Sequence, residues 1–299
     1  MLPGRRKWVK RITFYGVISV GLWLLASYVG VYWLTRRPHA LFGEPVPEIS
    51  WGRVQALRLA TDDGEELGAW FIDGRADQPL VLLLHGYRGC RHNCLPQAKI
   101  AAEAGCPVLL ISLRAHGDST GEICDAGYSA RKDVVAAVAW LRQRYPSRPV
   151  VVWGQSLGAA AAVFAASDLG DQVSGYILEC PYQDLRTAVW NRMEFYLPPL
   201  LRNVAYAGAT LVAPLILPDV DSISPLKEAS SIPQSSRVLV LAGDKDRRAR
   251  PEEARAIHAR LQGSARLVIV PGADHMKLFE TNPMVYREVV LDLIAICRQ

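Results

Sequence analysis

The sequence predicts an α/β domain with a mostly parallel eight-stranded sheet flanked by helices, preceded by an N-terminal transmembrane helix. Three observations predict it. Short, fully apolar runs alternate with longer stretches of helical periodicity from residue 80 onward, the pattern of repeated βα units. One of those runs, Pro149–Trp153, leads directly into Gly154-Gln155-Ser156-Leu157-Gly158 and then into an alanine-rich segment, so a buried strand, a sharp turn and a helix meet at one serine. Finally, Ile12 to Leu34 is a stretch of 23 residues without a charge.

From the N-terminus, residues 1–37 differ in kind from the rest. As a helix, Ile12 to Leu34 is about 35 Å long, enough to cross a bilayer with some tilt, and too long for the apolar core of an ordinary signal peptide. Arg5, Arg6, Lys7, Lys10 and Arg11 precede it, and only Arg36 and Arg37 follow. That asymmetry places the N-terminus in the cytoplasm and everything after the helix in an extracytoplasmic space, as a single-pass membrane protein. Trp23, Tyr28, Tyr32 and Trp33 are candidates for interfacial anchors. Without residues 1–37 the chain has 27 basic against 29 acidic residues, so the formal charge of +5 becomes −2. The basic balance is therefore a topology signal, and it lends no support to a nucleic-acid partner.

Residues 38–52 read as a linker and 53–299 as one catalytic-sized domain. Val54–Ala60 and Leu67–Ile72, joined through Asp62-Asp63-Gly64, form an antiparallel hairpin. The parallel strands are Leu80–Leu84, Val108–Ser112, Val150–Trp153, Gly175–Leu178, Val238–Ala242 and Leu267–Val270. Between them, Val134, Val138 and Leu141 mark the buried face of a helix over 130–144. An insertion of about forty residues, 182–224, breaks the alternation. Its apolar stretches, 195–201 and 211–217, are interrupted by proline and are not expected to make a second membrane span. Its large apolar side chains offer surface that suits acyl chains.

Gly154 and Gly158 allow the strand end and helix start to approach more closely than a Cβ would permit. The turn pushes Ser156 out, and the N–H of Leu157 points at whatever sits on its hydroxyl. A serine hydroxyl is a weak nucleophile alone, so a base and an orienting acid are required. Of the six histidines, His275 follows a strand and a Pro271-Gly272 turn. His39 lies beside the apolar segment, His92 in a cysteine-flanked loop and His258 within a charged helical pattern. His85 ends a strand well before the serine and is read as holding its own loop. The acid is Asp246, beyond the turn at Gly243, with Asp244 in reserve. The second oxyanion donor is the N–H of Tyr87, in the His85-Gly86-Tyr87-Arg88-Gly89 loop that ends the Leu80–Leu84 strand.

These segments, with Leu113–Ser119 after the next strand, resemble the α/β-hydrolase superfamily, and most of all the abhydrolase-domain serine hydrolases related to serine aminopeptidases and lysophospholipases. The resemblance covers about residues 53–296. It implies an α/β-hydrolase fold, a Ser156, Asp246, His275 triad in that chain order, and an oxyanion hole formed by Tyr87 and Leu157. It also implies that the insertion 182–224 acts as a lid over the site. No cofactor is expected, Cys90 and Cys94 supply too few ligands for a metal, and the apolar insertion points to a small-molecule or lipid-like acyl substrate. Two departures stand out: Ser112 where relatives often carry Asp, and Cys90 and Cys94 in a loop usually free of cysteine. Six cysteines facing an oxidising space leave room for disulfides, although Cys90 and Cys94, four residues apart, pair only if their loop is irregular. The expected activity is hydrolysis of a carboxylic ester or thioester through an acyl-enzyme. A serine peptidase is the alternative, and a non-catalytic binding scaffold is less well supported because the triad is complete. Oligomeric state is not legible.

Overall fold

Residues 3–37 and 41–298 are described by the computed structural model of the chain; residues 38–40, at the start of the expected linker and including His39, lie outside the described residues. Eight strands form one sheet: β1 (Val54–Ala60), β2 (Glu66–Ile72), β3 (Leu80–Leu84), β4 (Val108–Ile111), β5 (Val150–Gln155), β6 (Gly175–Glu179), β7 (Arg237–Gly243) and β8 (Ala265–Val270). Their spatial order is β1-β2-β4-β3-β5-β6-β7-β8. β1 and β2 pair antiparallel, as do β2 and β4, and all later pairs are parallel.

The apolar runs are continuous rather than alternating because helices cover both faces of the sheet. On one face Leu82, Leu84, Val150, Val152, Tyr176 and Val240 pack with Val134, Val138 and Leu141 of the helix Arg131–Arg144. On the other, Val81, Leu83, Val151, Trp153 and Ile177 pack with Ile100 of Leu95–Glu103 and with Tyr286, Val290 and Ile294 of Pro283–Ile296. Each strand thus divides its side chains between two cores with period two. The order reverses around β3, with β4 on one side and β5 on the other, so a crevice opens beyond the carboxyl ends of β3 and β5. That crevice is where the Tyr87 loop and Ser156 emerge.

The insertion differs from the proline-broken segment expected. It forms two helices, Leu185–Tyr196 and Pro199–Ile216, and the second runs for 18 residues. Pro198 and Pro199 stand at its start, where a missing N–H removes no helical bond, and Pro214 falls two residues before the end. The prolines delimit the helix without dividing it. With a mean hydropathy of 1.2 it is long and apolar enough to cross a membrane, as is Trp8–Leu34 at 1.8. Leu200, Leu211 and Leu215 are exposed on its outer side.

The N-terminal helix, Pro3–Leu34, packs along the second insertion helix. Trp23 Nε1 donates to Val204 O at 3.1 Å, and a Cβ at Gly208 would lie 2.0 Å from Ser27 Oγ. Small residues thus let two apolar helices touch backbone to side chain. The chain is then clamped to the domain: Arg37 N donates to Glu122 O at 2.9 Å, and its guanidinium donates to Ser119 O and Gly121 O. Glu44, assigned to the linker, is instead buried against Arg91 and Ser112. The residue found where relatives often carry Asp is therefore a donor to this glutamate. All six cysteines are free thiols, five of them buried, so the disulfides considered from composition are not formed.

Candidate active site

Ser156 follows β5 with φ 49° and ψ −104°, a left-handed conformation that a non-glycine residue adopts only when its surroundings enforce it. The enforcement is visible at its neighbours. A Cβ at Gly154 would lie 2.3 Å from Gly158 O, and one at Gly158 would lie 2.5 Å from Leu84 O. The Ser156 N–H donates to Glu179 O at 2.8 Å, fixing the turn to β6. The helix Leu157–Phe164 starts at the next residue.

The loop after β3 crosses this turn closely: a Cβ at Gly86 would be 3.5 Å from Gln155 O and 3.7 Å from Ser156 Cβ. Among the described residues, neither the Tyr87 nor the Leu157 backbone N–H has a hydrogen-bond partner. Two free donors beside one serine are what a developing oxyanion requires. His85 is fully buried and holds the loop, with Nδ1 2.8 Å from Gly86 O and Nε2 2.9 Å from the Leu113 N–H. Its Nε2 accepts, so Nδ1 carries the proton. Burial, with His116 and Arg91 nearby, pushes its pKa down to about 3. His85 is therefore a neutral strut, with Nε2 accepting from Leu113.

His275 and Asp246 meet. His275 Nδ1 lies 2.7 Å from Asp246 Oδ2, and both side chains are largely shielded from solvent. The other carboxylate oxygen accepts from the N–H groups of Arg248 and Ala249 at 2.8 and 2.9 Å. Asp246 is thus oriented by the backbone and presents one fixed oxygen to the imidazole. Asp244 has a different partner, accepting from Gly272 N at 2.6 Å and so tying the histidine loop to the end of β7. Met276, next to His275, reaches within 3.3 Å of the position a Cβ at Gly86 would take. The histidine loop therefore arrives beside the serine turn from β8. The Ser156 hydroxyl makes no hydrogen bond to His275 among the described residues, a contact that often closes only around substrate. His258 and His92 lie elsewhere, the first 3.3 Å from Ala265 O and the second edge-on to Trp70.

Two groups of metal-ligand type gather within 4.8 Å: Glu44, Cys90 and His92, and Cys180, Asp246 and His275. In the first, Arg91 already stands 3.3 Å from Glu44 Oε1 and supplies the positive charge. In the second, His275 Nδ1 faces Asp246, and burial together with the Asp246 charge holds the Cys180 thiol protonated. Cys180 itself has φ 46° at the end of β6, behind the acid. It is a neighbour of the pair that sequence reasoning did not single out.

A cavity of about 560 Å³ includes Ser156, Leu157 and Tyr87 in its wall. The insertion helices supply most of the rest, and the N-terminal helix contributes Trp23, Ser27, Gly30, Val31 and Leu34. Tyr87 Oη donates to Leu34 O at 3.0 Å, linking the loop to the last turn of that helix. Behind the serine, Glu179 is fully buried and receives hydrogen bonds from Trp153, Gln155 and Tyr286. Burial raises its carboxyl pKa. Nothing in a local pattern announces Glu179, since its donors come from two other elements, β5 and the helix Pro283–Ile296.

Residues 79–217 match the family described as alpha/beta hydrolase fold, and residues 218–291 match the family described as TAP-like protein. The human protein ABHD12B is 29% identical over 209 residues, 66% of this chain and 54% of its own length. The lysophosphatidylserine lipase ABHD12 of Danio rerio is 30% identical over 147 residues, covering 47% of this chain and 36% of its own. The chain thus spans about half, or less, of the length of these two relatives. Among solved structures, the Pyrococcus furiosus esterase Pf2001 superposes with a TM-score of 0.70 at 24% identity, over 86% of this chain and 98% of the esterase, a likeness of fold.

Proposed function

Since the chain belongs to the abhydrolase-domain proteins of the α/β-hydrolase superfamily, we propose that it is a membrane-anchored serine hydrolase that cleaves carboxylic ester or thioester bonds through an acyl-enzyme. One observation carries this reading: a serine held at φ 49° at a helix start, beside two unpartnered N–H donors and within a Met276 side chain's reach of an oriented His275–Asp246 pair. Ser156 attacks the acyl carbon while His275 Nε2 takes its proton, and Asp246 stabilises the imidazolium that results. The oxyanion is met by the Tyr87 and Leu157 N–H groups, already in place before charge develops. His275 then returns the proton to the leaving oxygen or sulfur, and water repeats the sequence on the acyl-enzyme.

The relatives named as lipases and the apolar walls of the cavity support a lipid-like acyl substrate. Each buried methylene of a substrate chain contributes about 0.8 kcal/mol, so two more improve transition-state binding by roughly tenfold where the pocket accepts them. With the full-length chain in detergent, kcat/KM is expected to rise from acetyl to medium-chain esters, with thioesters following the same order. A protein that left every ester untouched and released only aminoacyl amides would instead be a peptidase.

Membrane placement rests on Trp8–Leu34 and its basic flank. The anchor holds the N-terminus in the cytoplasm and the catalytic domain outside it. A reporter active only outside the cytoplasm, fused after Gln299, should be active. Signal from a cytoplasm-only reporter at the same position would reverse the orientation.

A further inference from the structure

The N-terminal helix would need only its apolar surface to serve as a tether, yet one of its faces is turned to the domain. Trp23, Ser27 and Val31, spaced by four, are its less exposed positions, while Leu25, Val29 and Trp33 between them are open on the outer side. The inner face meets the second insertion helix. Trp23 bonds to Val204 and Ser27 meets Gly208, four residues further along each helix, so the two run in the same direction. Apolar side chains of both helices stay open to the surroundings, with Leu25 58% exposed, Leu211 62% and Leu215 75%. Apolar surface of that kind belongs in a lipid phase. Between this pair and Ser156 lies the cavity.

From this arrangement we infer that the N-terminal helix is a wall of the acyl-chain subsite, and that the substrate's chain enters between it and the second insertion helix, directly from the bilayer. This rests on the hydrolase reading above and extends it: the substrate is an acyl ester of a membrane lipid, taken while its chain stays in the apolar phase. Trp23 to Leu34 is about 17 Å of helix, so the lining runs well along an extended acyl chain. The hydrogen bond from Tyr87 to Leu34 O ends that wall at the oxyanion loop, where the scissile carbonyl must sit. Apolar walls on one side of Ser156 and polar donors on the other divide the substrate into chain and ester. An acyl chain that moves from bilayer to cavity never crosses water, so no exposure of its methylenes opposes entry.

Gly30 provides the test. It lines the cavity, and a Cβ added there meets nothing within 4 Å, so a larger side chain can start from this position without a clash at its first carbon. Full-length protein in phosphatidylcholine vesicles is assayed on acyl esters from four to sixteen carbons. In Gly30→Phe the ratio of kcat/KM on the longest chains to that on butyrate should fall about tenfold or more, the effect of excluding two or more buried methylenes. Gly208→Leu, which forces the two helices apart at Ser27, should weaken long-chain turnover in the same selective way. Leu25→Phe, on the outer side and away from the cavity, should match wild type. A Gly30→Phe profile that overlays wild type, or one in which butyrate falls as far as palmitate, overturns the role of the helix. A wild-type protein that cleaves no ester at all overturns the hydrolase reading instead.

Discussion

Ser156→Ala is expected to abolish labelling by a fluorophosphonate probe and to lower ester turnover by about 10⁶-fold, the scale on which serine hydrolases lose kcat when the nucleophile is removed. The size follows from what the residue's surroundings are built to do. A left-handed backbone at Ser156 is strained, and two glycines are held in contacts too close for any Cβ so that the strain persists. Alanine fits the same backbone, so the fold should survive and thermal unfolding should be little changed. What disappears is the oxygen proposed to form the acyl bond, while the Tyr87 and Leu157 donors remain, and a small residual rate over water is expected. Labelling of the alanine variant at the wild-type rate would move the nucleophile elsewhere.

Much of this site is legible in the sequence because its parts are local. A strand, a glycine-flanked serine and a helix start are contiguous from Val150 to Phe164, and periodicity alone marks both elements. The ends of β3, β7 and β8 are equally plain, since parallel strands covered on both faces read as unbroken apolar runs. The strand limits move by a residue or two, as at Glu66 and Gln155, where backbone pairing extends past the apolar side chains. The insertion is less legible. Its prolines suggest interruption, but a proline at a helix start or in its last turn interrupts little, and position within a helix is a product of the fold. Least legible are contacts between distant segments. Glu44 joins Arg91 and Asp118, Glu179 gathers Trp153, Gln155 and Tyr286, and Ser27 meets Gly208, with sequence separations that no pattern encodes.

The same non-local packing changes what the N-terminal helix means. Its composition is that of a membrane span, and its sequence alone treats all its faces alike. The fold distinguishes them, through Trp23, Ser27 and Leu34 on the side that meets the insertion and the Tyr87 loop. A fragment lacking residues 1–37 would lose one wall of the cavity, so its substrate profile is expected to differ from that of the longer chain.

Asp246→Asn should cost about 10⁴-fold in kcat, while Asp244→Asn should cost less than about tenfold, and the geometry gives the reason for the difference. Asp246 Oδ1 accepts two backbone N–H bonds, from Arg248 and Ala249. An asparagine at this position keeps its carbonyl oxygen there, since its amide nitrogen cannot accept them. Its NH₂ then faces His275 Nδ1, where Asp246 Oδ2 stood at 2.7 Å. The imidazole must accept at Nδ1, its proton moves to Nε2, and the nitrogen that should receive the Ser156 proton is already occupied. Nor is there a carboxylate to stabilise the imidazolium. Among the described residues the Asp244 side chain accepts one bond, from the Gly272 N–H, and an asparagine carbonyl replaces it without touching the histidine. Both variants should fold and bind substrate, so the loss at 246 should appear in kcat with KM little moved. Single-turnover kinetics on a medium-chain ester checks this. A larger loss at Asp244, or equal losses at both, would assign the orienting carboxylate to Asp244 and reduce Asp246 to a structural cap of its loop.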